Sequence, residues 1–429
     1  MNKEIKKLRE LMVWFICVLA AGFSSVSEAV IDGVTGTTFN LTAKQGYVST
    51  PDGNSILVWG YALNNGLMQY PGPTLIVNQG ELITVNLTNQ LAAPVSLTFP
   101  GQQGLTATGG SGGVLTQEST GPADTVSYTF VASSAGTYMY QSGTRPELQV
   151  EMGLMGALIV RPLAANQAYE HADSAYDHEY LFLLSEMDPQ IHFYVETGRE
   201  NLIDNTAYHP VYWFLNGRNF PDILTESNNA LLPHQPYNSI PRIHPGETAL
   251  MRMVVASRDL HPFHTHGNHF RLIARDGRLK QSATGLGADL SHEDFTLTSV
   301  PGATYDALWT WTGEKLGWDI YGTGAEFAHS CDTPLGFDTT THEYCPDHNK
   351  PMPVNLPALQ ELAFGGFYSG SPFLSASGSL PPGEGGLNLN GGLFFMWHSH
   401  NELELVNNDI FPGGLMTMMI VEPPGVPIP

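Results

Sequence analysis

Along the chain, apolar and polar positions show no sustained helical periodicity. Short runs rich in β-branched and aromatic residues alternate with turn-forming clusters instead. Leu57-Val58-Trp59-Gly60-Tyr61-Ala62, Thr74-Leu75-Ile76-Val77, Leu82-Ile83-Thr84-Val85-Asn86-Leu87 and Val126-Ser127-Tyr128-Thr129-Phe130 are examples. Many short strands at this spacing predict an all-β chain built from sandwiches. Two blocks emerge. The first, over 30–163, closes on Gly153-Leu154-Met155-Gly156-Ala157-Leu158-Ile159-Val160. A polar stretch over 164–179 reads as a linker. The second, over 180–425, opens on Tyr180-Leu181-Phe182-Leu183-Leu184 and closes on Gly414-Leu415-Met416-Thr417-Met418-Met419-Ile420-Val421. The two closing segments are alike, a weak internal repeat that predicts two copies of one fold. The second block is the longer, and its excess, about 313–392, is Gly/Pro-rich and reads as an insertion in a loop.

Composition changes this picture little. The 429 residues include 45 Gly and 30 Pro, with 42% hydrophobic and 14% charged residues, which fits a globular, turn-rich β protein. The formal net charge of −23 speaks against nucleic acid and anionic membranes as partners. Lys3, Lys6, Lys7 and Arg9 precede an apolar run over 11–23 and then Ser27-Glu28-Ala29. That order predicts a signal peptide over 1–29 and a secreted or periplasmic mature protein. The run, about 13 residues, is too short to span a bilayer; an uncleaved anchor is the alternative. Cys17 leaves with this segment. Cys331 and Cys345 remain, and in an oxidising compartment they read as a disulfide closing a local loop. A metal loop with His329, His342 and His348 is the competing reading.

The chemistry concentrates in His261-Pro262-Phe263-His264-Thr265-His266-Gly267 and in Trp397-His398-Ser399-His400. A His-x-His pair on a strand turns both imidazoles to one face. Two such pairs on neighbouring strands, His264/His266 and His398/His400, would bring four imidazoles around one point, a donor set suited to copper, zinc, nickel or iron. The alternative is that they are hydrogen-bonded loop residues. Glu402, Glu404 and Asp409 follow the second pair and read as a solvated acidic loop in preference to acceptors for imidazole N–H groups. His269 and His292 read as structural.

These motifs, with Pro71-Gly72-Pro73-Thr74, Phe214-Leu215-Asn216-Gly217-Arg218, Pro245-Gly246-Glu247-Thr248 and Pro301-Gly302-Ala303-Thr304-Tyr305, resemble the multicopper oxidases, the laccase-like family. The resemblance covers nearly the whole chain outside the insertion. It implies two tandem cupredoxin-like Greek-key β-sandwiches and copper as cofactor. It also implies a blue copper held by one Cys and two His with a weak axial Met, and a three-copper cluster held by eight His. His264, His266, His398 and His400 match cluster positions, and His261 matches a blue-copper His. Ser399 stands where the family has its copper-binding Cys, and Glu404 where it has the other blue-copper His. Met416 is a candidate axial ligand, weighed against a place in the core. The first block has no His at all, since none precedes His171.

The expectation is therefore an exported copper-binding protein with a His-rich site in its second domain. It lacks the blue-copper thiolate and the first-domain half of the cluster. Its partners would be copper ions and a small-molecule or metal-ion substrate. The alternatives are a copper-dependent oxidoreductase with a mononuclear site and a metal-free scaffold or interaction protein.

Overall fold

A computed structural model describes residues 31–312, 393–422 and 427–428. The segment read as a signal peptide, the 313–392 stretch and the Cys331/Cys345 pair lie outside the described residues.

The first block folds as two facing sheets. In the larger, the strands Met68–Gln69, Ser55–Leu63, Thr38–Ser49, Leu82–Asn89, Thr125–Val131 and Gln103–Thr108 lie side by side. The smaller runs Val34–Thr35, Leu75–Asn78, Met155–Arg161, Gly136–Gln141. The strand Leu82–Asn89 shows why they pack: Ile83, Val85 and Leu87 point into the core while Thr84, Asn86 and Thr88 stay partly exposed. Phe99, Tyr128, Phe130 and Tyr140 fill the space between the sheets.

The second block repeats the plan. One sheet is ordered Tyr212–Leu215, His178–Met187, Thr248–Val255, Thr304–Thr310, Phe270–Arg275, Arg278–Leu279, with His292–Asp294 also paired to Phe270–Arg275. The other is ordered Arg242–Ile243, Met416–Val421, Leu393–Ser399, His261–Thr265, Thr296–Ser299. The closing strands occupy equivalent places. Met155–Arg161 pairs parallel with Leu75–Asn78 and antiparallel with Gly136–Gln141. Met416–Val421 pairs parallel with Arg242–Ile243 and antiparallel with Leu393–Ser399. The likeness of the two closing segments thus reflects a shared topology.

Two details differ from the sequence expectations. The stretch before His178–Met187 carries no long strand, yet Ala168 and Tyr169 are buried against Leu250, Ile273 and Leu308, so it is packed onto the second block. Among the described residues two short α-helices interrupt the strands, Pro146–Gln149 and the longer Pro189–Glu196. Asp188 caps the latter, its carboxylate accepting from Gln190 N at 2.9 Å, and Pro189 opens the first turn.

The blocks share an apolar seam, in which Val58, Tyr70, Ile76 and Met155 of the first meet Leu183, Met187, Tyr212 and Phe214 of the second. Beside it lies a buried ionic group. Arg252 Nε donates to Glu179 at 2.9 Å and its Nη1 lies 3.6 Å from Asp306. Asp306 in turn accepts from Thr137 of the first block and from Tyr169.

Candidate metal centre

The strand His261–Thr265 sits between Thr296–Ser299 and Leu393–Ser399, and its register sets the site. Burial alternates along it, so His261, Phe263 and Thr265 turn inward, while His264 turns to the other face, the side on which His266 joins it. His264 is paired directly with His398 across the strands. The ligand nitrogens of His264, His398 and His400 all lie within 4.8 Å of one another. His266 joins them, its Nε2 3.2 Å from Nε2 of His398. Of the four, His398 is buried, His264 and His266 are half-buried, and His400 is exposed.

Two rings are oriented from behind. His398 Nδ1 lies 2.7 Å from the Ser399 carbonyl, which can only accept, so the proton of a neutral His398 resides on Nδ1 and its Nε2 presents a lone pair. His264 Nδ1 lies 2.7 Å from Thr296 Oγ1, and the Phe295 ring stands edge-on to His264 at 5.6 Å. Thr296 was not foreseen, because only the strand register reveals it. Burial, then the nearby His266 and His400, pushes the His264 pKa down from 6.5 to about 4. Burial and the neighbouring imidazoles also bring His398 down to about 4. Both rings are therefore neutral at pH 7, the form that binds a metal.

His261 is placed elsewhere. It points to the inner face, wholly buried, with Nδ1 2.9 Å from Glu404 and Nε2 3.6 Å from Glu186. Glu404 is itself buried, which corrects its reading as part of a solvated acidic loop; Glu402 and Asp409 are exposed. Burial alone would lower the His261 pKa, but the Glu404 hydrogen bond and the carboxylates of Glu404 and Glu186 outweigh it and hold it above 6.5. Glu404 also accepts from Asn401 Nδ2 at 3.0 Å, and Asn401 N donates to Ser399 Oγ at 3.1 Å. A blue copper does not fit here. Ser399 offers a neutral hydroxyl in place of a soft thiolate, and Glu404 already holds His261. Met416 is opposite His398 in the register, hence on the His398 face and away from Ser399. His269 stands near the cluster against Phe295, with ring centroids 5.4 Å apart. His292 pairs with Leu272 in the other sheet.

The corresponding place in the first block holds hydroxyls and amides. Thr98 and Gln141 are paired across the two segments, as His264 and His398 are in the second block. Behind them Thr144 Oγ1 bonds Ser96 at 2.9 Å and Glu118 at 2.8 Å. Among the described residues this place offers no imidazole, since no His precedes His171.

Two tandem sandwiches with this closing-strand topology define an all-β protein of the cupredoxin-like class, and the comparisons agree. Residues 42–165 match the sequence profile of the multicopper oxidases. The chain is 35% identical over 121 residues to L-ascorbate oxidase of Cucumis sativus, covering 28% of this chain and 19% of that protein. It is 32% identical over 165 residues to copper resistance protein A of Escherichia coli, covering 38% and 24%. The matches thus span about a fifth of the length of these relatives. The fold is similar to that of the blue copper oxidase from Nitrosomonas europaea, with a TM-score of 0.55 at 18% identity over 89% of this chain and 85% of that one. Residues 42–165 thus resemble a multicopper oxidase domain, and the fold of the chain is similar to that of a blue copper oxidase.

Proposed function

We propose that the chain is an exported copper-binding protein that holds one copper ion on the outer face of its second sandwich. His264, His398 and His400 are donors and His266 completes the set. The observation that carries the reading is the 3.2 Å approach of the Nε2 atoms of His266 and His398. With the proton of His398 committed to Ser399 O, its Nε2 is a lone pair. A second lone pair cannot rest against it at that distance without a proton or a cation between them. The neutral His398 ring offers that lone pair to a His266 Nε2–H in the apo protein and to a metal ion once one is bound. Copper as the ion is supported by the family and by a relative named for copper resistance. Without a thiolate to admit electrons, and without imidazoles in the first block, four-electron reduction of dioxygen is not part of this proposal. Export is supported by the basic and apolar leader; among the described residues no helix is long and apolar enough to cross a membrane.

The test is to load purified protein with Cu(II), desalt it and count metal. One ion per chain is expected, with His264→Ala and His398→Ala each losing it. Wild-type protein that retains no copper contradicts the proposal and favours the metal-free scaffold. A second reading, a mononuclear copper oxidoreductase, draws on the exposure of His400, which would leave a bound ion within reach of a small-molecule or metal-ion substrate. It predicts turnover that stops on His264→Ala; activity unchanged in that variant rules it out.

A further inference from the structure

The outer face that carries the imidazoles does not end with them. In the register, His264 is opposite His398, and His398 is opposite Met416. One row along, His266 N donates to Met396 O at 2.9 Å, and Met396 is opposite Met418. Directly opposed side chains on one face of an antiparallel pair have Cβ atoms about 4.5–5.5 Å apart. The three strands therefore present two rows, His264–His398–Met416 and His266–Met396–Met418. Imidazoles line one side of this face and thioethers the other, with His398 opposite His264 on one strand and Met416 on the next.

The thioethers form a cluster of their own. Met396, Met416 and Met418 are 6%, 2% and 5% exposed and are covered by Phe220, Leu224 and Leu405. They are separate from the Phe395, Trp397 and Met419 core on the opposite face of the same strands. A strand face that needed only apolar filling would favour β-branched side chains. Three converging methionines add something those side chains lack, a set of soft, uncharged sulfur donors. Thioethers select Cu(I) over harder divalent ions.

We propose that Met396, Met416 and Met418 form a second metal site, specific for a soft monovalent cation, Cu(I), and adjoining the imidazole cluster along His398 and His266. This goes beyond the single-copper reading above and does not depend on it, since a soft ion can bind the sulfurs whether or not the imidazoles hold Cu(II).

Ag(I), which has the softness of Cu(I) but does not change oxidation state under these conditions, is the probe. Silver is titrated into the full chain by equilibrium dialysis, and its neighbours are read by X-ray absorption. Three proteins are compared: wild type, His264→Ala/His400→Ala, and Met396→Leu/Met416→Leu/Met418→Leu. The histidine variant is expected to bind Ag(I) with sulfur neighbours. The leucine variant is expected to keep the wild-type Cu(II) stoichiometry and to bind Ag(I) at least tenfold more weakly. Met418→Leu alone, a volume-conserving change, is the fallback if the triple variant does not fold, and it should reduce the number of sulfur neighbours. Silver affinity unchanged in the leucine variant, or in Met418→Leu with the sulfur count unchanged, overturns the proposal. So does silver surrounded by nitrogen alone in the histidine variant. Wild-type protein that holds Ag(I) through sulfur but no Cu(II) sinks the single-copper reading and leaves this one standing.

Discussion

His264 and His398 each trade proton affinity for readiness to bind a metal, and the trade has a measurable pH signature. In the unfolded chain their pKa is near 6.5; in the fold it is about 4. Between those values the unfolded state takes up protons that the native state refuses. Apo-protein stability from these two residues is therefore full above about pH 6.5 and is lost as pH falls toward 4. His261 has the opposite sign: its raised pKa gives stability that is present at low pH and fades as pH rises through its folded value. Urea midpoints measured from pH 7 to 4 should fall less in His264→Ala than in wild type; identical profiles would contradict the assigned shifts. Ser399→Cys tests the residue that the blue site lacks. Glu404 still occupies His261, and among the described residues no second imidazole stands on that inner face, so the copper-loaded variant should show no intense blue absorption. A strong blue band would mean that Glu404 yields its partner to the metal.

At the scale of elements, the His261–Glu404 pair ties the turn after the second His-x-His strand to the first. Removing one partner of a buried hydrogen bond costs about 1–3 kcal/mol, because the other is left unsatisfied. Glu404→Leu should therefore lower unfolding stability by that order, read from denaturant curves. Asp188→Ala should cost about 1–2 kcal/mol, since it removes both the cap of Pro189–Glu196 and the acceptor of His209 N. These elements also show what could be read in advance. The His-x-His pairs were legible because period-two alternation fixes their face whatever their partner. The Asp188-Pro189 start of the helix carried a cap signal, but eight residues give too short a period to stand out. The burial of Glu404 was not legible. It depends on Glu186 and His261, respectively 218 and 143 positions away in sequence, and an acidic residue in a polar turn looks solvated until those partners are known. The thioether rows were hidden for the same reason: Met396 meets Met418 only through the pairing of two strands.

For the whole molecule, the repeated closing segment was a faint sequence signal because only a handful of positions match, yet it corresponds to the same strand in two sandwiches. What joined the sandwiches was not legible, since the seam is made of residues that would serve equally well in either core. The seam and the Arg252–Glu179–Asp306 group predict that the two blocks unfold together. Calorimetry should show one cooperative transition in the apo protein. Asp306→Ala removes the acceptor for Thr137 and Tyr169 and leaves Arg252 less compensated. It should lower the melting temperature and split the transition. A single unshifted transition would show that the apolar seam alone couples the blocks.

The central claim is that one copper ion sits among imidazoles and that the blue centre is gone. Electron spin resonance of the Cu(II)-loaded, desalted protein, taken with its visible spectrum, tests it most directly. The account predicts one mononuclear Cu(II) signal per chain with nitrogen hyperfine splitting and no intense blue band, and loss of that signal in His398→Ala. An intense blue band, or a signal that persists unchanged in His398→Ala, would contradict it.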